Sequence, residues 1–330
     1  MDHASDTRLA VRIAYCGNYS VPWTTETHIA WSLEALGHEV TRIQEGATPA
    51  LDIPELVKEH DLFAWTQTYS LAYEGGTVAD RLAMLDHIRG QGIPSVGLHL
   101  DRWWGISRED QIREEPFFRV DRLFTADGAH DEEWAAEGIR HHWMPPGICE
   151  CETHLGSSQP RFARDVGFVG SWQGGYHPES THRRELIEHL RAWYPARRLG
   201  LWPRGRAIRG RELANLYASV KVLVGDSCLV DDRGRYFSDR IPETLGRGGL
   251  LVHPLISGVT PGLYEPGEHL LCWTPGDWNA LRLLIEEALV DPVARARISA
   301  RGREHVIEHH TYTVRMRQML EMLRDEGVLA

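Results

Sequence analysis

The sequence predicts an α/β protein built from two successive doubly wound, mostly parallel sheets. Three observations carry that expectation. Short β-branched and apolar runs alternate with helical stretches of roughly ten to fifteen residues, the pattern of βαβ units. The alternation breaks at Pro145, Pro146 and Gly147 and starts again after a polar stretch from Glu150 to Pro160. The chain of 330 residues also exceeds the ~250–300 residues at which a single core stops growing.

In the first half, strands are expected at Leu9 to Tyr15, Glu39 to Ile43, Asp61 to Trp65, Ser95 to His99, Arg122 to Thr125 and His141 to Met144. Helices are expected at Thr27 to Leu36, stopped by Gly37, and at Val78 to Arg89, stopped by Gly90. The second half repeats the scheme, with strands at Asp165 to Val169, Arg197 to Leu201, Val220 to Val224, Leu250 to His253 and Leu270 to Trp273. Its helices are expected at Thr181 to Trp193, Gly210 to Ala218, Ile241 to Arg247 and Asp277 to Val290, and Pro292 to Arg324 reads as amphipathic helix. The domains implied are 1–150, a linker over 151–164, a second domain over 165–310, and a closing helix over 311–330. Two such Rossmann-like halves leave a cleft between their strand C-termini, where open α/β sheets bind ligands.

Composition narrows the function. A net charge of −11 opposes strong binding to nucleic acid, which depends on Lys and Arg neutralising phosphates. No apolar run approaches the roughly 20 residues that span a bilayer, and MDHASDTRLA lacks an apolar signal core, so a cytoplasmic protein is expected. The five cysteines form no disulfide framework on this reading, and Cys149 and Cys151 read as a small hydrophobic linker without a metal. G-x-G-x-x-G, G-x-x-x-x-G-K-[ST] and D-x-D are all missing, which argues against a dinucleotide dehydrogenase, P-loop phosphoryl transfer and a metal-bound diphosphate.

The segment YFSDRIPETLGRGGLLV, Tyr236 to Val252, is the richest in chemistry. Ser238 or Asp239 is placed to cap a helix, and Pro242 suits its first turn. Helix amides and Arg240 would face the cleft and pair a diphosphate. Glu243, one turn inside, can accept hydrogen bonds from ribose hydroxyls. Arginines recur from Arg183 to Arg211, either as a solvated face or with one or two turned inward to the diphosphate. Gly170 and Ser171 end the first strand of the second half, where glycine lets a phosphate approach the backbone. Asp226 and Ser227 end another strand at the cleft edge. In the first half, Asn18 and Tyr19 follow the first strand and His28 lies in the helix after it. His99 and Asp101 share one side of a strand end, suited to polarising or hydrogen-bonding a hydroxyl in the cleft.

This segment, with the downstream run EPGEHLLCWTPGDWNALRLLIEEALVDPVARARISARGREHV, resembles retaining GT-B glycosyltransferases of group 1, in particular the branch of CgeB-like spore-maturation proteins. The resemblance covers residues 165–315 well and the first half by architecture alone. It implies two Rossmann-like domains facing each other, 1–150 on the acceptor side and 165–310 holding the nucleotide sugar, with the closing helix 311–330 crossing back to the first. A nucleotide diphosphate sugar is the implied donor with no other cofactor, and the implied reaction is metal-independent transfer of a sugar, a hexose by this reading, to an acceptor hydroxyl. It implies diphosphate contacts at Gly170 and Ser171, a base resting near Trp202, and ribose contact at Glu243. The loop carrying Asn18 and Tyr19 would cover sugar and acceptor, and Asp101 is favoured over His99 as the group orienting the acceptor. Many relatives carry two glutamates with seven residues between them; Glu243 matches the second, and Arg235 stands at the position of the first. Asp239 and Asp232 are the candidates to replace it, and Arg235 could itself face a phosphate. Three other readings stay open: a binding module without catalysis, a sugar-nucleotide epimerase of the same shape, and a phage-type DNA glycosyltransferase. The acceptor class, whether glycan, protein, lipid or small metabolite, is open.

Overall fold

The computed structural model describes residues 10–67, 75–172, 181–229, 234–256 and 262–330. Leu9 and Asp232 lie outside them. The first lobe runs β1 (Arg12–Gly17), α1 (Thr25–Ala35), β2 (Glu39–Gln44), α2 (Ile53–Val57), β3 (Leu62–Trp65), α3 (Val78–Gly90), β4 (Ser95–His99), α4 (Gln111–Glu114), β5 (Arg122–Thr125), α5 (Asp131–Ala136) and β6 (His141–Trp143). Its strands form one parallel sheet in the order β2-β1-β3-β4-β5-β6. All four side chains of β3 are buried, as expected for a strand covered by helices on both faces.

The second lobe runs β7 (Arg164–Val169), α6 (His182–Trp193), β8 (Leu199–Trp202), α7 (Gly210–Ser219), β9 (Val220–Val224), α8 (Arg240–Gly246), β10 (Leu251–Pro254), β11 (Leu271–Trp273), α9 (Trp278–Val290) and α10 (Pro292–His309). Its parallel sheet has the order β11-β10-β9-β7-β8. Each sheet reverses its strand order beside its first strand, between β1 and β3 and between β7 and β9. Those two switch points are where ligands of doubly wound sheets settle.

The helical stretch read over Pro292 to Arg324 consists of two helices, parted at His310 and Thr311. Thr311 takes an extended conformation and its hydroxyl caps a new helix, α11 (Tyr312–Asp325), by accepting the Val314 amide. This helix returns to the first lobe, where Met316, Met319, Leu320 and Leu323 join Ile29 and Leu33 of α1 in one buried cluster. Glu326, just past its end, pairs with Arg122 and with His142 at 3.0 Å.

The chain therefore crosses between lobes twice, and the two crossings are tied together. The Ile148 amide donates to the His310 carbonyl at 3.1 Å, and the Tyr312 amide donates to the Ile148 carbonyl at 2.9 Å. The Arg315 guanidinium, nearly buried, donates to the Pro145 carbonyl at 2.9 Å. A disulfide joins Cys149 to Cys151 in this turn, which corrects the reading of both as an unpaired linker.

A second contact holds the lobes on another side. The Arg235 amide donates to the Gly128 carbonyl at 3.1 Å, and its guanidinium lies 3.7 Å from the centre of the Trp143 ring. Ile106 and Ala126 of the first lobe meet Cys228 and Tyr236 of the second in a small buried cluster alongside. Arg235 thus clasps the opposite lobe and is not among the residues lining the cleft, so the option that it faces a phosphate is set aside.

Candidate functional site

The cleft between the lobes has a volume of about 840 Å³ and is lined from both switch points. On the second-lobe side, the chemistry starts from one buried carboxylate. Asp226, at the end of β9, is 1% exposed. It accepts from Arg183 Nε at 2.9 and 3.1 Å and lies 3.4 Å from Arg240 Nη1. Arg183 also donates to the Ser171 carbonyl at 3.2 Å, and Arg240 Nε donates to the Val169 carbonyl at 2.6 Å. Two guanidinium groups are thereby fixed on one carboxylate at the C-terminal ends of β7 and β9. One positive charge is left over there, in the cleft wall that both arginines line.

Gly170 makes this packing possible. Its φ of +146° is rarely adopted by residues with a side chain, and an added Cβ would stand 2.0 Å from Arg240 Nη2. Ser171 follows it in the lining. Below, the Ser227 hydroxyl lies 3.1 Å from His253 Nε2 and accepts the Ser238 amide at 3.1 Å, while the Ser238 hydroxyl donates to the Asp226 carbonyl. Burial pushes His253 down to about 4, so its ring is neutral and holds the loop by hydrogen bonds alone.

These placements revise several sequence-based expectations. Asp226 and Ser227 lie under the cleft floor rather than in its lining, because their side chains are taken up by arginine and histidine beneath it. Neither Ser238 nor Asp239 caps α8 with its side chain. The Ile241 and Glu243 amides are already bonded to the Ser238 and Asp239 carbonyls, and Pro242 has no amide hydrogen. The cationic groups that this wall offers the cleft are therefore arginine side chains. Trp202 borders the cleft but is only 6% exposed, its ring packed over Gly167 and Gly200, while the neighbouring Pro203, Ala207 and Ile208 are more open in the lining.

Glu243 lines the cleft with its side chain 36% exposed. One turn on, the buried Arg247 donates to the Glu243 carbonyl at 3.2 Å and to Glu152 at 2.8 Å. Asp239 is open to water in the cleft yet walled in by protein. That desolvation, and then the carboxylates of Glu243 and Asp101, push its carboxyl up to about 7. Arg209 also lines the cleft and has no carboxylate partner among the described residues. Arg183 and Arg209 were visible in the sequence only as members of an arginine-rich run.

On the first-lobe side, Asn18, His28, His99 and Asp101 line the cleft, with Gln67 and Trp103 between them. Tyr19 does not: its hydroxyl turns back to the Tyr15 carbonyl at 3.1 Å and its ring packs on the core. His99 Nδ1 accepts from the Asp101 amide at 3.1 Å and from Trp103 Nε1 at 3.3 Å. Burial lowers it to about 4, so His99 is a neutral bracket for the Asp101 loop and a poor proton acceptor. Asp101 faces Arg108 at 3.4 Å. One group of potential metal ligands, His28, Cys151 and Glu152, lies at the hinge end of the cleft.

Comparison with known proteins agrees with this geometry. A family model described as "Glycosyl transferase-like" matches residues 182–321. No curated protein matches the chain in sequence. Among solved structures, sucrose-phosphate synthase from Thermosynechococcus elongatus is 13% identical with a TM-score of 0.64, over 96% of this chain and 99% of that one. HepE of Anabaena in complex with UDP is 15% identical with a TM-score of 0.60, over 95% and 100%. An α-glucosyltransferase in complex with UDP is 12% identical with a TM-score of 0.66, over 96% and 100%. At such identities the likeness speaks to architecture, and with the two parallel sheets and their cleft it establishes that this chain has the GT-B fold.

Proposed function

We propose that this protein is a glycosyltransferase that moves a sugar, a hexose in this reading, from a nucleotide diphosphate sugar to an acceptor hydroxyl, with retention and without a metal at the phosphates. The observation that carries the reading is the pair Arg183 and Arg240, locked on Asp226 beside Gly170 in a cleft that also presents Glu243. As the bond from the sugar to the distal phosphate oxygen breaks, negative charge builds on the diphosphate. Guanidinium groups already held in place stabilise that charge without reorganising. Glu243 accepts from the ribose hydroxyls. Asp101, across the cleft and braced by His99 and Arg108, orients the acceptor. Closure of the lobes keeps water from competing as acceptor. HepE and the α-glucosyltransferase, both of this fold, hold UDP, which supports a nucleotide donor. The resemblance to the CgeB-like branch, and a cytoplasmic location, belong to the same proposal.

The test is thermal unfolding with UDP-, GDP-, ADP- and TDP-sugars. A ligand at a hundred times its Kd stabilises the folded state by about 2.7 kcal/mol. One of these donors should raise Tm, and Glu243→Ala should abolish the rise while the unliganded fold persists. If no donor shifts Tm the reading fails, and an undiminished shift in the variant removes Glu243 from the site. Release of free nucleotide diphosphate separates an enzyme from a binding module, and donor conversion without acceptor identifies an epimerase. An α-glucosyltransferase of this fold is seen with UDP and DNA. The net charge of −11 weighs against DNA as acceptor here, and a salt-sensitive gel shift on duplex DNA would favour it.

A further inference from the structure

We infer that the hinge end of the cleft is a thiol-gated zinc site, made by His28, Cys151 and Glu152 once the Cys149–Cys151 disulfide is reduced. His28 comes from α1 of the first lobe, and Cys151 and Glu152 from the turn of the first crossing. One imidazole nitrogen, one sulfur and one carboxylate oxygen all lie within 4.8 Å of one another. In a tetrahedral zinc centre with bonds of about 2.0–2.3 Å, ligand atoms stand roughly 3.3–3.7 Å apart. Side-chain rotations of about 1 Å therefore close the set, and Cys151 is exposed and able to turn. Zinc accepts this mixture of imidazole, thiolate and carboxylate, and three protein ligands leave a fourth position open. His28 and Glu152 both line the cleft, so that position is reachable from it. The His28 imidazole is half-buried at this end of the cleft.

The disulfide is the gate. A sulfur bonded to sulfur offers no thiolate, so the oxidised turn lacks its softest ligand. Two small thiols reduce it: their S–H bonds and the protein S–S bond break, Cys149 and Cys151 become thiols, and the small molecules leave as their own disulfide. Zinc then displaces the Cys151 proton to solvent as the Zn–S bond forms. Cys149 is 1% exposed in the first-lobe core and stays outside the set. Glu152 is held by Arg247 at 2.8 Å, and Arg247 in turn holds the Glu243 carbonyl. Zinc draws Glu152 away from that guanidinium, so occupancy is felt at Glu243. Zinc binding itself does not involve the arginines at Asp226 and stands apart from the proposed reaction; only its coupling to Glu243 rests on that reading.

Zinc and cobalt titrations of the full chain test this, comparing the oxidised protein with protein reduced by a phosphine, which becomes its oxide at the expense of one water. Calorimetry should show one zinc per reduced chain, and cobalt should give a sulfur-to-cobalt charge-transfer band. Oxidised protein, Cys151→Ser and His28→Gln should each bind zinc at least about tenfold more weakly, while Cys272→Ser binds as the parent does. Equal affinity in oxidised and reduced protein, undiminished binding in Cys151→Ser, or no thiolate band with cobalt would overturn the inference.

Discussion

Gly170→Ala isolates the part of the site on which donor binding rests. The added Cβ would lie 2.0 Å from Arg240 Nη2 and 2.9 Å from its Cζ. Ordinary contact begins near 3.5 Å, so the guanidinium must retreat by about 1.5 Å. That retreat breaks its bond to the Val169 carbonyl and separates it from Asp226. A charge-assisted hydrogen bond contributes about 1.5–3 kcal/mol, so losing the guanidinium from a diphosphate weakens binding about 10- to 150-fold. The φ of +146° adds about 1–3 kcal/mol of strain, against a typical domain stability of about 5–15 kcal/mol, so the protein should still fold. Calorimetry with the best nucleotide from the thermal screen measures the loss, and circular dichroism checks the fold. Arg240→Ala should lose a similar factor, and the double variant should lose little more, because both changes remove one interaction. Parent-like affinity in folded Gly170→Ala, or additive losses in the double variant, would refute the role given to Arg240.

Most of the architecture was legible because strands sandwiched between helix layers write themselves as apolar runs. Leu62–Trp65 is such a run, and Val220–Val224 is one but for the exposed Lys221; both are strands of the sheets. What escaped was held by tertiary contacts rather than by pattern. The single-turn helices α2, α4 and α5 are too short to show a period of 3.6. The cap itself, the Thr311 hydroxyl on the Val314 amide, escaped because the stretches on either side are both amphipathic, although a closing helix over 311–330 was expected. The Cys149–Cys151 bond contradicted a count-based argument, since an odd number of cysteines says nothing about one local pair.

The site was legible where its residues are close in sequence and obscure where they are not. Glycine at the end of β7, and Arg240 and Glu243 one turn apart, could be read from spacing. The partnership of Arg183 with Asp226 spans 43 residues and two strands, so nothing local singled it out of the arginine-rich run. A strand end, moreover, does not tell which way the following side chains turn. Asp226 and Ser227 go under the floor and Tyr19 goes into the core, while Asp101, similarly placed on its strand, faces the cleft. Arg235 was conspicuous as a departure from the expected glutamate, but its partner, Trp143, sits in the other lobe.

Three further outcomes follow from the same contacts. Asp239 has a carboxyl raised to about 7, so the folded state holds a proton the unfolded chain releases near pH 4. Its contribution to stability therefore declines between about pH 4 and 7, and in Asp239→Asn melting scans Tm should fall less over that window; identical pH profiles would exclude a proton retained on Asp239. Met319→Ala empties a fully buried position under α11 and should destabilise the first lobe by about 2–5 kcal/mol, read as a lowered Tm; no change would mean that α11 is not docked there. Arg235→Ala removes a cation–π contact of about 0.5–2 kcal/mol that bridges the lobes away from the hinge. Since the hinge crossings remain, the loss should appear as a larger radius of gyration by small-angle X-ray scattering without donor, narrowing again when donor is added, and an unchanged radius would show that the crossings alone hold the lobes together.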